Sequence, residues 1–373
     1  MSGSTVPPRV PFLDLQALHT ELADELDEAA LRVLHAERVL LGPELESFER
    51  AWATAVGAGE TVGVGSGLDA LALALRALGV GPGDEVLVPS HTFIATWLGV
   101  LHAGAVPVPV DVSPATAVWE PGTVESAVTE RTRALLPVHL YGHPVDLDPL
   151  LDIARRHGLA VLDDAAQAHG ARYRDRPVGG LTDVTAWSFY PGKNLGAFGD
   201  GGALTTSDPE LAARLRSLRN YGSTQKYVHD EVGWNSRLDE LQAALLSVKL
   251  RHLAEHNARR AAVAARYDDA LGGTELVRPL PPVEGASVWH LYVVRTPYRD
   301  ALQGHLTRHG IETVIHYPVP PHRQPAFAGT PLADAHLPAA DLLAREVLSL
   351  PLGPHLAEHH QERVVEAVLS FRP

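Results

Sequence analysis

Lys193 stands in the run Ser188-Phe189-Tyr190-Pro191-Gly192-Lys193-Asn194-Leu195-Gly196, which continues through Gly199-Asp200-Gly201-Gly202-Ala203. Most lysines are solvated surface charges, yet the flanks here are aromatic and glycine, the composition of a pocket wall where an amine can attack a carbonyl carbon. Upstream, the apolar run Val161-Leu162 ends in two adjacent carboxylates, Asp163 and Asp164, followed by Ala165-Ala166-Gln167-Ala168-His169. A third group, Gly63-Val64-Gly65-Ser66-Gly67, opens a helix whose free N–H groups and dipole favour a phosphate by ~0.3–2 kcal/mol. One chemistry uses all three. With pyridoxal phosphate, the lysine forms a Schiff base, a carboxylate keeps the pyridine nitrogen protonated, and the helix start takes the phosphate.

Each group alone also has a plainer reading. The glycines fit a tight βα turn with Ser66 as N-cap and Asp69 as capping-box partner. A dinucleotide calls for an acid at the end of the next strand, but Asp84 and Glu85 precede that strand, which ends Pro89-Ser90-His91. Adjacent strand carboxylates point to opposite faces, which argues against a Mg²⁺ site and predicts that one of them caps a following helix. His252 and His256 have i, i+4 spacing but lack the Glu of a zinc helix, so they read as a solvated helix face.

The elements that must position these groups follow from periodicity. Helical patterns cover Glu21–His35 and Glu44–Ala55, and then Thr61–Val64 reads as a strand leading into a helix with Leu68, Leu71, Leu75 and Leu78 at helical spacing. Strand Glu85–Pro89, helix Thr92–His102, strands Val106–Val110 and Ala134–Val138, helix Leu147–His157 and strand Ala160–Asp163 continue the alternation. This order predicts an α/β fold, a mostly parallel sheet with helices on both faces and ligands at the strand carboxyl ends. A long amphipathic stretch, Ser236–Tyr267, reads as a helix in one or two parts leading through a Pro-rich patch at 279–282 to a smaller α+β unit. The expected division is 1–245 for an N-terminal segment and large domain, and 246–373 for a linker helix and small C-terminal domain.

The 373 residues are long enough to bury a site between two domains, and 45% hydrophobic against 20% charged residues excludes disordered and fibrous classes. The absence of cysteine removes thiol nucleophiles, disulfides, iron–sulfur clusters and Cys-based zinc sites. A net charge of −14 opposes general binding to nucleic acid or anionic membranes. The stretch between Arg214 and Arg260 runs the other way, with nine Lys/Arg against five Asp/Glu, and predicts a local basic surface for anionic ligands. MSGSTVPPRV has no apolar core of signal-peptide length and no apolar run reaches membrane-spanning length, so a cytoplasmic protein is expected.

The series SGLDAL, PSHTFIATW, PVHLYGHPVD, DDAAQAHGA, SFYPGKNLGAFGDGGA, LRNYGS, NSRLDELQAA and HYPVPPH, in this order over nearly the whole chain, resembles the DegT–StrS family of sugar aminotransferases. The resemblance implies an aspartate-aminotransferase-like fold type I with pyridoxal 5'-phosphate as cofactor and no metal. It assigns Lys193 as the Schiff-base lysine and proton carrier, and Asp164 in preference to Asp163 as the partner of the pyridine nitrogen. Gln167 is expected at the ring oxygen or face, Phe93 on the other face, and Gly67, the backbone of Leu68 and Ser188 around the phosphate. Asn235 is expected to reach the partner's phosphate in a homodimer with shared active sites. Tyr221, Arg237, His316 and Tyr317 match positions near the sugar nucleotide.

Related dehydratases carry histidine in place of the Schiff-base lysine, so Lys193 favours transamination. The wording around Lys193 and His139 is nearest to members that aminate C3 of a dTDP-3-keto-6-deoxyhexose with L-glutamate in a ping-pong exchange. The product implied is a dTDP-3-amino-3,6-dideoxyhexose destined for an antibiotic glycoside or a surface glycan. The alternatives are amination at C4 of a nucleotide sugar or of a keto-cyclitol, and, from another class, a pyridoxal-phosphate-binding regulatory paralogue.

Overall fold

The computed structural model describes residues 9–278 and 285–373, so the Pro-rich patch at 279–282 lies outside the described residues. Three helices come first, α1 (Leu15–Glu21), α2 (Ala23–Leu34) and α3 (Pro43–Val56). The sequence predicts a single helix from Glu21. Instead Asp14 caps α1 by accepting from the Ala17 N–H, and the chain breaks at Leu22, which turns inward with Leu26, Ala29 and Val33. That apolar stripe packs on Ala244, Leu245 and Val248 further along the chain.

The alternating region follows as β1 (Glu60–Val64), α4 (Gly67–Ala77), β2 (Glu85–Pro89), α5 (Ala95–His102), β3 (Val106–Val110), α6 (Pro121–Ser126), β4 (Thr132–Leu135), α7 (Leu147–His157) and β5 (Ala160–Asp164). Two short strands, β6 (Arg172–Tyr173) and β7 (Arg176–Pro177), precede β8 (Val184–Ser188), β9 (Gly202–Thr206) and α8 (Pro209–Leu218). The main sheet has seven strands in the order β1-β9-β8-β5-β4-β2-β3. Its neighbours pair in parallel except β9, which runs antiparallel to both β8 and β1. The mostly parallel sheet expected from the alternation is therefore present, with a β8–β9 hairpin that the alternation does not reveal. Its connection is the Lys193 loop.

From there α9 (Glu240–Leu271) runs unbroken for 32 residues, about 48 Å at 1.5 Å per residue. No glycine or proline interrupts it, and so the two-part alternative is corrected to one helix. The chain closes with β10 (Gly285–Ala286), β11 (Tyr292–Arg295), α10 (Arg299–Arg308), α11 (Pro338–Glu346), β12 (Val347–Leu350) and α12 (Glu358–Ser370). β11 and β12 pair antiparallel. Tyr267, Tyr292, Leu302, Leu348 and Val364 form an apolar cluster there, separate from the main core.

Behind the Lys193 loop the main core is aromatic. Trp52 meets Trp187 edge-on at 5.0 Å and Phe189 at 5.8 Å, and Phe48 meets Phe189 edge-on at 5.4 Å. Such pairs add ~0.5–1.5 kcal/mol each beyond the area they bury, and here they hold rigid the strand end from which the loop departs. Among the described residues no helix is long and apolar enough to cross a membrane.

Candidate active site

Strand β1 ends at Val64, the chain turns through Gly65, and Ser66 starts α4 by accepting the Asp69 N–H at 3.1 Å. Asp69 does not reciprocate as a capping box would. Its carboxylate accepts from the Ser236 hydroxyl at 2.7 Å, and Ser236 Oγ accepts the Gly65 N–H at 2.9 Å. The N–H groups of Gly67 and Leu68 have no acceptor among the described residues. A Cβ on Gly67 would stand 2.6 Å from the Cβ of Ser188, so glycine alone lets this helix start lie flush against the end of β8. Two free backbone donors beside a serine hydroxyl form a phosphate-sized cup on a helix dipole.

Asp164 ends β5 next to the start of that cup. Its Oδ2 accepts from Thr96 Oγ1 at 2.9 Å and its Oδ1 from the Ala166 N–H at 3.1 Å. Ala165–Gln167 is a turn, so the helix cap expected of one carboxylate is instead a local bond across that turn. Burial raises the Asp164 carboxyl above its ordinary range, against those two hydrogen bonds and the charge of Lys193. Burial likewise pushes the Lys193 amine down to about 8, with Asp164 opposing. Asp163, on the opposite face of the strand, approaches Thr182 and His139, each at 3.4 Å.

Gln167 reaches the same space from below. Its Oε1 accepts the Tyr141 N–H at 2.6 Å and its Nε2 donates to the Tyr317 hydroxyl at 3.0 Å. The Tyr141 hydroxyl donates to the His316 carbonyl at 2.6 Å and must then accept from His91 Nε2, 2.9 Å away. His91 is thereby the neutral Nε2–H tautomer, in keeping with burial that pushes it down to about 4. His316 is likewise pushed to about 4 by burial and then by Lys193, and its Nδ1 lies 2.8 Å from Ser349 Oγ. Phe93 stays half exposed, its ring 5.5 Å from that of Tyr317.

The profile of the DegT/DnrJ/EryC1/StrS aminotransferase family matches residues 20–369. The chain belongs to this family. It is 57% identical over 372 residues to the dTDP-3-amino-3,4,6-trideoxy-alpha-D-glucose transaminase of Streptomyces venezuelae, covering 100% of this chain and 98% of that protein. It is 56% identical, over 95% of this chain and 98% of the other, to the erythromycin biosynthesis sensory transduction protein EryC1 of Saccharopolyspora erythraea. The X-ray structure of S. venezuelae DesV in complex with a ketimine intermediate superposes with a TM-score of 0.95 at 57% identity, covering 97% of this chain and 98% of that one.

The DegT/DnrJ/EryC1/StrS aminotransferases are pyridoxal-phosphate enzymes, and the residues present fit that cofactor. The cup offers unpaired donors, Asp164 is a buried carboxylate in want of a cation, and Lys193 is a half-buried amine whose surroundings push it down to about 8. Thr96 and Tyr141 are the members that sequence reasoning passed over. Thr96 lies in the quoted block PSHTFIATW, but nothing in its spacing shows that it would face Asp164. Ser236 neighbours the quoted Asn235, and only the fold brings it to Gly65.

Around the rim, Arg237 lies over the Tyr221 ring at 5.5 Å and donates to Asn220 at 3.1 Å, while Asn235 is exposed. The basic surface expected between 214 and 260 is largely neutralised. Arg216 pairs with Glu60, Arg219 with Glu49, Arg251 with Glu25, Arg259 with Glu21 and Arg214 with Glu231. Periodicity could not show that α1–α3 and β1 carry the matching acids. Arg237 has no carboxylate partner among the described residues, so its guanidinium is one cation left available at the rim.

A pH dependence follows from Lys193. Only the uncharged amine is nucleophilic, and its fraction falls about tenfold per pH unit below its pKa. In cofactor-free protein, the rate at which added pyridoxal phosphate restores visible absorbance is expected to climb with pH and level off above about 8. A rate independent of pH between 6 and 8 would show that Lys193 is not the attacking amine.

Proposed function

We propose that the chain transfers the amino group of L-glutamate to C3 of a dTDP-linked 3-keto-6-deoxyhexose. The observation that carries this reading is full-length 57% identity to a transaminase whose name specifies that position and nucleotide. When bound, pyridoxal phosphate supplies an electrophilic carbon and an electron-accepting ring. Asp164, oriented by Thr96 and the Ala166 N–H, would hold the proton on the pyridine nitrogen. Gly67, Leu68 and Ser188 would hold the phosphate, with Asn235 contributed from a second copy. Phe93 and Gln167 would bracket the ring. Lys193 Nζ would carry the proton between the cofactor carbon and the substrate carbon, first for glutamate and then for the keto sugar.

Tyr221, Arg237, His316 and Tyr317 line the route that the sugar nucleotide would take, and the unpaired Arg237 guanidinium suits its diphosphate. A homodimer is supported by the exposed Asn235 and by the exposed aromatics Phe93, Tyr190, Tyr221 and Tyr227. The two-domain division at 245/246 is supported by the separate apolar cluster around Tyr267 and Tyr292. A cytoplasmic location suits a substrate bearing a nucleoside diphosphate.

The Streptomyces relative's name has one hydroxyl fewer, at C4, than the 3,6-dideoxy product expected from the sequence. The deciding assay mixes purified protein with L-glutamate and, separately, a dTDP-3-keto sugar bearing either C4 hydroxyl epimer or none, or a dTDP-4-keto-6-deoxy sugar, and reads the product by NMR. Amine at C3 of any of these supports the reading, and amine only at C4 of a 4-keto sugar would overturn it. The sensory-transduction name of the second relative motivates the regulatory alternative. A protein that binds pyridoxal phosphate and turns yellow but is not bleached by L-glutamate would favour that alternative, whereas bleaching of the visible band by L-glutamate alone would exclude it.

A further inference from the structure

The loop after Lys193 alternates its residues between two environments. Leu195 and Ala197 are buried in the core, while Asn194, Gly196 and Phe198 turn toward α9. Asn194 Nδ2 donates to Asn257 Oδ1 at 2.9 Å, Lys249 Nζ donates to the Gly196 carbonyl at 2.7 Å, and the Phe198 N–H donates to Gln242 Oε1 at 2.8 Å. The three helix residues are spaced by seven and eight, two turns each, so they form one polar stripe. They meet the loop in reverse order, 257 to 194, 249 to 196 and 242 to 198.

The stripe is well seated. Lys249 is 4% exposed, and its ammonium lies 4.1 Å from the centroid of the Phe198 ring, against which His19 of α1 stacks at 4.2 Å. Asn257 is itself fixed by donating to the His169 carbonyl at 2.8 Å. Asn194 has two further partners, the Val288 carbonyl at 2.8 Å and His290 Nδ1 at 3.1 Å. A Cβ on Gly196 would fall 2.3 Å from the Pro191 carbonyl oxygen, so the loop is folded tightly on itself, and the three bonds from α9 fix where that folded unit stands. A buried lysine held by one carbonyl at 2.7 Å and by His19 Nε2 at 3.4 Å, with no carboxylate partner among the described residues, is unusual, since lysine is rarely fully buried without a partner of opposite charge.

We infer that Gln242, Lys249 and Asn257 are positioning residues, a ruler on α9 that sets the height of the Lys193 loop and so the reach of its amine. This rests on the reading of Lys193 as the lysine that carries the cofactor. A misplacement of about 1 Å costs up to ~10²-fold in a proton-transfer or attack step, because reaction demands near-attack geometry. Lys249→Met keeps the hydrocarbon stem and removes the donor, and Lys249→Arg keeps a donor and the cation on Phe198.

The test is stopped-flow bleaching of the holoenzyme by L-glutamate, with hydrogen exchange of a peptide spanning 190–200 in cofactor-free protein. Lys249→Met is expected to lower the limiting bleaching rate by ~10–100-fold, leave half-saturation by glutamate within about twofold, and speed exchange in the peptide. Lys249→Arg is expected to recover most of the rate. If Lys249→Met does not fold, Gln242→Leu and Gln242→Glu give the same contrast at Phe198, since only the glutamate side chain still accepts its N–H. Borohydride reduction followed by peptide mapping separates the two levels of the argument. Label on Lys193 with unchanged rate and exchange in the Met or Leu variant overturns the ruler alone. Label on another lysine in the unsubstituted protein overturns the assignment of Lys193 itself.

Discussion

Lys193→Ala is expected to reduce the bleaching of holoprotein by L-glutamate by ~10⁴-fold, the upper range for a positioned acid–base. The fold is expected to survive, because the Lys193 side chain makes no hydrogen bond among the described residues. The loop is held by the Lys193 N–H on the Tyr190 carbonyl, by the Ala197 N–H on the Phe189 carbonyl and by buried Leu195. Removing a half-buried amine whose charge is disfavoured by its surroundings costs the folded state little. Pyridoxal phosphate should still bind through the cup and Asp164, with the absorbance of a free aldehyde instead of that of an imine. Residual transamination within tenfold of the parent would remove Lys193 from its role.

Asp164→Asn is the second large effect. A hydrogen bond to a charged group contributes ~1.5–3 kcal/mol, so loss of the carboxylate should weaken cofactor retention by ~10–150-fold in a dialysis or fluorescence titration. The cofactor-free protein should lose no stability at neutral pH. The Asp164 carboxyl is raised by burial, so its ionised form opposes folding as pH rises through its folded pKa, and the neutral amide removes that opposition. Removing the negative charge also takes away the carboxylate that holds the Lys193 amine up, so the pH at which cofactor loading levels off should fall below about 8. Asp163→Asn is the control. Asp163 faces Thr182 and His139 on the other side of the strand, and its substitution should leave retention unchanged.

The parallel sheet and the positions of Asp164, Lys193 and the glycine turn were legible because each rests on local pattern. Apolar runs mark buried strands, and the groups sit where those runs end. The antiparallel course of β9 was not legible, since nothing in the run Gly202–Thr206 marks its direction and only the pairing with β8 and β1 decides. The long-range partners were hidden for the same reason. Nothing near Thr96 shows that it would meet Asp164, and nothing near Glu49 shows that Arg219 would lie 2.5 Å away across the fold. The basic stretch misled because sequence charge counts one strip of chain, while the folded surface sums every strip that touches it.

The hydrogen bond from Ser236 to Asp69 that supports the phosphate cup joins residues 167 positions apart. At a synthesis rate of about 5–20 residues per second, roughly 10–30 s pass between the making of its two halves. During that interval α4 can form on the ribosome, but its phosphate-binding end has no floor. Cofactor capture thus belongs to a late stage of biogenesis, after α9 begins to emerge. A chain truncated before residue 236 should fail to retain pyridoxal phosphate even though Asp164, Gln167, Ser188 and Lys193 are already present.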